Sequence, residues 1–212
     1  MRFAVLLAVA AGLALTGCTS TYYKALESVG IEKRDVLVDR VDAARDAQSD
    51  ARDEFTTALD RYRELVQIDG GSLETTYDKL NSAYEKSRRE AAEVSERIDA
   101  VESVAGDLFA EWETEIDEYT DPDLSRRSRD LLRDTRQDYQ GVITAMRRAE
   151  SSMQPVLSLF NDQVLFLRHN LNARAIGSLD SELQSIEEAT NALIGEMEQA
   201  IAEAERFIAA AG

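Results

Sequence analysis

From residue 37 onward, apolar side chains recur at alternating spacings of four and three, interrupted by three short breaks. The first run is Leu37, Val41, Ala44, Gln48, Ala51, Phe55, Ala58, Tyr62 and Leu65, with Gln48 its only polar member. The second is Leu73, Tyr77, Leu80, Tyr84, Ser87, Ala91, Val94, Ile98, Val101, Ala105, Leu108, Trp112, Glu115 and Tyr119. The third is Leu132, Thr135, Tyr139, Val142, Met146, Ala149, Met153, Val156 and Phe160, and the fourth Leu179, Leu183, Ile186, Thr190, Leu193, Met197, Ala200, Ala204 and Phe207. A repeat of ~3.5 residues sustained over this length specifies long helices that wind around one another. The fold class predicted is all-α: an elongated antiparallel helical bundle, or coiled coil, of about four long helices.

The breaks set the boundaries. Gly30 separates Tyr22-Tyr23-Lys24-Ala25-Leu26 from the first helix, and Asp69-Gly70-Gly71 ends that helix before Ser72, a ready N-cap. Asp121-Pro122 supplies an N-cap followed by proline in the first helical position. Gly177-Ser178 offers a glycine C-cap and another N-cap. Helices are therefore expected over 31–68, 72–119, 122–176 and 178–210, forming one domain over 31–212. Pro155 lies inside the third, where the repeat continues across it; the pattern reads as a kink, with a true break after Ser152 as the alternative. Beyond it, Val156 to Leu171 is apolar on nearly every side and should be the most enclosed segment. At ~1.5 Å per residue the two outer helices reach roughly 50–57 Å and the two inner ones about 72–82 Å. The second and third helices should then protrude as a hairpin by ~20 Å.

Residues 1–17 follow a different pattern. Met1-Arg2 precedes an apolar run from Phe3 to Leu15 that is too short to span a bilayer, which takes ~20 residues, but suits the core of a secretory signal. The run ends in Leu15-Thr16-Gly17-Cys18, which resembles the lipobox of bacterial lipoproteins at all four positions. The resemblance implies cleavage before Cys18, acylation of its sulfur and amino group, and a lipidated tether over 18–30. Thr19 stands where an Asp commonly retains Gram-negative lipoproteins in the inner membrane. Its presence implies the periplasmic face of a membrane, the outer one rather than the inner.

Charge and composition then exclude whole classes. The chain has 24 basic and 41 acidic residues, net −17, which argues against a nucleic-acid binder. Losing residues 1–17 removes one base, Arg2, and no acid, shifting −17 to −18. One Cys and one His cannot build a zinc site or a disulfide framework, and a di-iron bundle would need two Glu-x-x-His motifs. The sequence has neither a nucleophile elbow nor a Gly-rich phosphate loop, so an enzyme is not expected and no cofactor or metal is called for.

Charges are also distributed unevenly. Nine acids and no base lie between Glu102 and Asp123, followed by Arg126, Arg127, Arg129, Arg133 and Arg136. Across an antiparallel hairpin the two runs should form interhelical ion pairs; the functional alternative is an arginine patch, with Arg126 and Arg127 foremost, that docks an anionic partner. Trp112 and Tyr119 read as members of the apolar repeat, with a ligand platform near the hairpin tip as the alternative. Arg168, His169, Asn170, Asn172 and Arg174 read as a helix C-terminus, where cations complement the dipole and Asn satisfies loose carbonyls. The alternative is a polar recognition spot.

Segments 31–47, 95–99, 146–150 and 164–176 carry a further resemblance, to a family of bacterial lipoproteins catalogued only as a domain of unknown function, over essentially 22–210. The family supplies no activity and no catalytic residue. The expectation is a non-enzymatic, membrane-anchored scaffold or adaptor of the cell envelope, attached through Cys18 and binding a protein partner or itself. The alternative is a binding module that holds a lipid, quinone or glycan between helices near 156–171.

Overall fold

A computed structural model of the chain describes residues 33–68, 73–171 and 173–211, without the side chains at 33, 173–178 and 211. Four helices make up nearly all of it: α1 (Lys33–Val66), α2 (Leu73–Glu118), α3 (Pro122–His169) and α4 (Ala173–Ala211). Each packs on two neighbours, so the helices close a ring in the order α1, α2, α3, α4. Short connections make successive helices antiparallel. The fold is the expected all-α helical bundle.

The apolar repeat is the core. All nine positions of the first run are buried, and in α3 and α4 Tyr139, Met146, Met153, Phe160, Leu193, Met197 and Ala204 are likewise enclosed. Across the axis, where α1 and α3 run parallel, Tyr62 meets Phe160 edge-on at 6.4 Å and Gln48 Nε2 donates to the Met146 carbonyl at 3.4 Å. The hydroxyl of Tyr62 donates to the Leu179 carbonyl of α4 at 3.1 Å.

Three expectations need correction. The turn between α3 and α4 falls at 170–172, not at Gly177, and α4 runs helically through Gly177-Ser178. Asn170 provides the stop: its backbone N–H donates to Leu167 and its side-chain amide to the Phe166 carbonyl at 2.9 Å. Glycine has no such side chain; inside a helix it is merely about 1 kcal/mol worse than alanine, which tertiary packing overrides. Secondly, the segment 156–171 is not enclosed on every side. Leu157, Phe160, Val164 and Leu167 are buried, whereas Leu165 and Phe166 are 46% and 41% exposed, because only two neighbours cover α3. Thirdly, the buried face of α2 changes phase near its end, to Ala105, Phe109 and Ile116, leaving Glu115 and Tyr119 outside. There α2 presents its apolar side to α3, and Phe109 meets Tyr139 edge-on at 5.4 Å.

α3 continues unbroken through Pro155, so the helix does not stop after Ser152. Proline removes the N–H that would bond the Ser151 carbonyl. Both residues are exposed, so the lost bond falls on a solvent-facing side of the helix. At the other end, Asp121 caps α3 as expected, its side chain accepting from the backbone N–H of Asp123 at 2.8 Å and of Leu124 at 3.3 Å, with Pro122 first in the helix.

Register follows from the cross-helix pairs. Glu54 of α1 meets Lys86 of α2 at 3.6 Å, so with equal rise per residue Lys33 stands level with about residue 107 of α2. Through Tyr62 and Phe160 it also stands level with about residue 131 of α3. The end of the α2–α3 hairpin thus lies past the described start of α1.

Candidate functional site

The charged residues of the hairpin form two layers. Nearer the middle of the molecule, Arg147 of α3 reaches Asp99 at 2.5 Å and Glu102 at 2.6 Å on α2, and Glu150 on its own helix at 2.8 Å. Ser95 Oγ donates to the other oxygen of Glu150 at 2.6 Å. Hydrogen bonding to Glu102 first, and to Glu150 and Asp99, holds the guanidinium's proton more tightly than usual, against an opposing effect of burial. Segments 95–99 and 146–150, noted above for their family resemblance, therefore face each other in one cluster. Sequence reasoning did not single out Arg147, because a residue in the interior of a long charged helix looks like any surface arginine. The usable signal was Ser95 and Asp99 four apart, opposite Arg147 and Glu150 three apart.

Nearer the tip, Arg136 bonds Glu113 across the hairpin at 2.7 Å and lies over the Phe109 ring at 5.1 Å. That hydrogen bond, and then the charge of Arg136, holds the Glu113 carboxyl below its usual range. Arg129 stands 3.8 Å from Asp117. The expected interhelical pairing is thus present for these residues. It is absent for two others: Arg126 pairs with Asp123, and Arg133 with Asp130 and Asp134, all within α3. Helical neighbours three apart are simply closer than the opposite helix. Arg127 is exposed and has no ion-pair partner among the described residues.

Trp112 is half-buried, with its indole N–H donating to Ser128 Oγ at 2.8 Å, which ties it to the hairpin interior. Tyr119 is 46% exposed and, contrary to the expected repeat, does not join the core. Arg168 and His169 are exposed in the last turn of α3, where their charge suits the helix dipole, and Asn170 is its cap. Asn172 and Cys18 lie outside the described residues, and the side chain of Arg174 is not described.

A shallow groove of about 190 Å³ opens between α2 and α3, lined by Tyr84, Arg88, Gln154, Leu157, Ser158 and Asn161. Tyr84 donates its hydroxyl to Asn161 Oδ1 at 3.2 Å across the groove. Arg88 is held by Glu85 at 2.8 Å. Sequence reasoning pointed to this stretch only in general, because a groove between two helices depends on register.

Among the described residues no group of three His, Cys, Asp or Glu side chains is placed to hold a metal, and no helix is long and apolar enough to cross a membrane. A search among curated proteins finds no match to the chain. A family model described as "Protein of unknown function (DUF2959)" matches residues 22–211, nearly the whole length, and the chain belongs to that family.

Proposed function

We propose that this protein is a non-enzymatic lipoprotein, anchored through acylated Cys18 to the periplasmic face of a bacterial membrane, the outer rather than the inner, and acting as a helical scaffold or adaptor. The observation that carries the scaffold reading is where the side chains are spent. The repeat fills the bundle interior along its length, and the prominent charged cluster, around Arg147, joins α2 to α3 rather than opening into a cavity. The anchor reading rests on Leu15-Thr16-Gly17-Cys18. In this arrangement the α2–α3 hairpin protrudes, and the acidic helical faces are repelled by anionic headgroups, which keeps the body off the surface.

Photo-crosslinking residues placed on exposed positions of each helix in intact cells test the scaffold reading. One defined protein partner, or a second copy, captured from one helix face is the expected result; uniform labelling of unrelated proteins would refute it. Cys18→Ala should abolish incorporation of labelled palmitate and release the protein from the membrane fraction.

The groove beside Tyr84 and Asn161 supports a second reading, a binding module for a lipid, quinone or glycan fragment near 156–171. This reading calls for a co-purifying small molecule, detectable by mass spectrometry and lost with Asn161→Ala. Protein purified from native membranes without any such molecule would exclude it.

A further inference from the structure

Large apolar side chains exposed among the described residues fall at the two ends of α3. Leu165 and Phe166 are at one end; Tyr119, Leu124 and Leu131, exposed by 46%, 48% and 59%, are at the hairpin tip. Leu124, Arg127 and Leu131 are spaced i, i+3, i+7 and form one stripe. Ser125 and Leu132, one residue further on in each case, are buried, so the stripe lies about 100° round the helix from the buried face, on its exposed flank. Arg127, in its middle, has no carboxylate partner among the described residues, while its neighbours Arg126 and Arg129 are engaged by Asp123 and Asp117.

Position in the chain says what covers this patch. The described part of α1 begins at the same end of the bundle as the tip, and the register puts Tyr119 and Leu124 further along the axis than Lys33. Cys18 is fifteen residues before Lys33, a span of at most about 50–54 Å. A membrane holding Cys18 would therefore meet the hairpin tip first, whereas Leu165 and Phe166 would lie at the far end.

We propose that the tip is a membrane-contact site, in which Tyr119, Leu124 and Leu131 enter the interfacial layer of a phospholipid bilayer and Arg127 lies at the phosphates. The inference rests on the reading of Cys18 as the anchor. Three partly exposed side chains are too small a contact to hold a free protein. A tether that confines the tip near the surface makes the same contact effectively intramolecular, and a weak affinity then suffices. Tyrosine and leucine suit the interfacial layer. Glu115, Glu118 and Asp121 surround the patch and disfavour an anionic surface, so the partner is a zwitterionic phospholipid.

The test couples the chain from Cys18 onward, which keeps every described residue, through its only thiol to a maleimide lipid in phosphatidylcholine vesicles. Reporters are Tyr119→Trp or, in a separate variant, Leu124→Trp, each with Trp112→Phe; Phe166→Trp with Trp112→Phe marks the far end. Circular dichroism confirms that each variant is folded. Brominated phosphatidylcholine should quench the tip reporters and spare the far-end one, and Leu124→Ser with Leu131→Ser, added to the Tyr119→Trp reporter, should reduce its quenching by about fivefold or more. Absent tip quenching, equal quenching at both ends, or quenching that survives the serines would overturn the proposal. So would a tip reporter whose emission shifts with protein concentration without lipid, which would assign the patch to a second copy. A blue-shifted tip reporter in the lipid-free monomer would assign it to the chain itself. Because the coupling is chemical, these outcomes are independent of whether cells acylate Cys18, which palmitate labelling reads separately.

Discussion

At the scale of single residues, polar groups inside the bundle do most to distinguish one part of the core from another. Gln48 is fully buried in the apolar repeat; one amide hydrogen reaches the Met146 carbonyl, while its Oε1 has no partner. Burying an unpartnered acceptor is unfavourable. Gln48→Leu is therefore expected to stabilise the fold by about 1–2 kcal/mol in urea denaturation, and unchanged or lowered stability would contradict this account. Tyr62 illustrates the opposite case, a buried polar group with its bond made. Burial, followed by the charges of Glu182 and Asp180, raises its phenol above the ordinary value of 10. In the unfolded chain that phenol ionises near 10, while in the folded chain it keeps its proton. Its contribution is fully present below pH 10 and is lost as pH rises through and beyond that value. Tyr62→Phe should be less stable at neutral pH by about 1 kcal/mol, yet decline less steeply in alkaline solution; parallel curves would rule this explanation out. Arg147→Met leaves Asp99, Glu102 and Glu150 facing one another without a cation, and should lower stability in urea denaturation by about 1–3 kcal/mol.

At the scale of elements, α3 is the helix whose sequence and behaviour differ most. Pro155 leaves the ladder one bond short on an exposed face. Pro155→Ala should restore that bond and stabilise the protein by about 1–3 kcal/mol, with slower amide exchange around 151–159. Gly106, Gly141 and Gly195 lie within helices and have open space where a Cβ would go. Each change to alanine should add about 0.5–1 kcal/mol, read as a higher melting temperature. How legible the elements were depended on how local their causes are. The repeat that buries Leu37 through Leu65 and the Asp121-Pro122 start were both visible in the sequence, because spacing and capping act within a few residues. The end of α3 was misplaced because Asn170 and Gly177 are both plausible stops, and only packing decides between them. The phase change after Ala105 was invisible for a related reason: the face α2 buries depends on which helix stands opposite. The site residues were less legible still. Arg126 was expected to pair across the hairpin, but the nearer Asp123 on its own helix takes it.

At the scale of the whole molecule, the helices make a rod. α3 alone has 48 residues, about 72 Å at helical rise, so small-angle scattering should give a maximum dimension of at least about 70 Å; a nearly spherical particle would be incompatible with the ring of four helices. With a net charge of −17, self-repulsion at this surface is screened over about 10 Å at 0.1 M salt. Any association between copies should therefore be favoured as salt is raised.

The antiparallel ring has a mechanical consequence. A pull on α1 at Lys33, directed along the rod, drags that helix lengthwise against both α2 and α4. Load is then shared in shear by Leu37, Phe55, Tyr62 and their neighbours together, along with the Arg63–Glu187 pair. Peeling α1 sideways would instead strain these contacts one after another. A molecule held by this end is thus mechanically anisotropic: stiff against traction along its axis, and compliant to force across it.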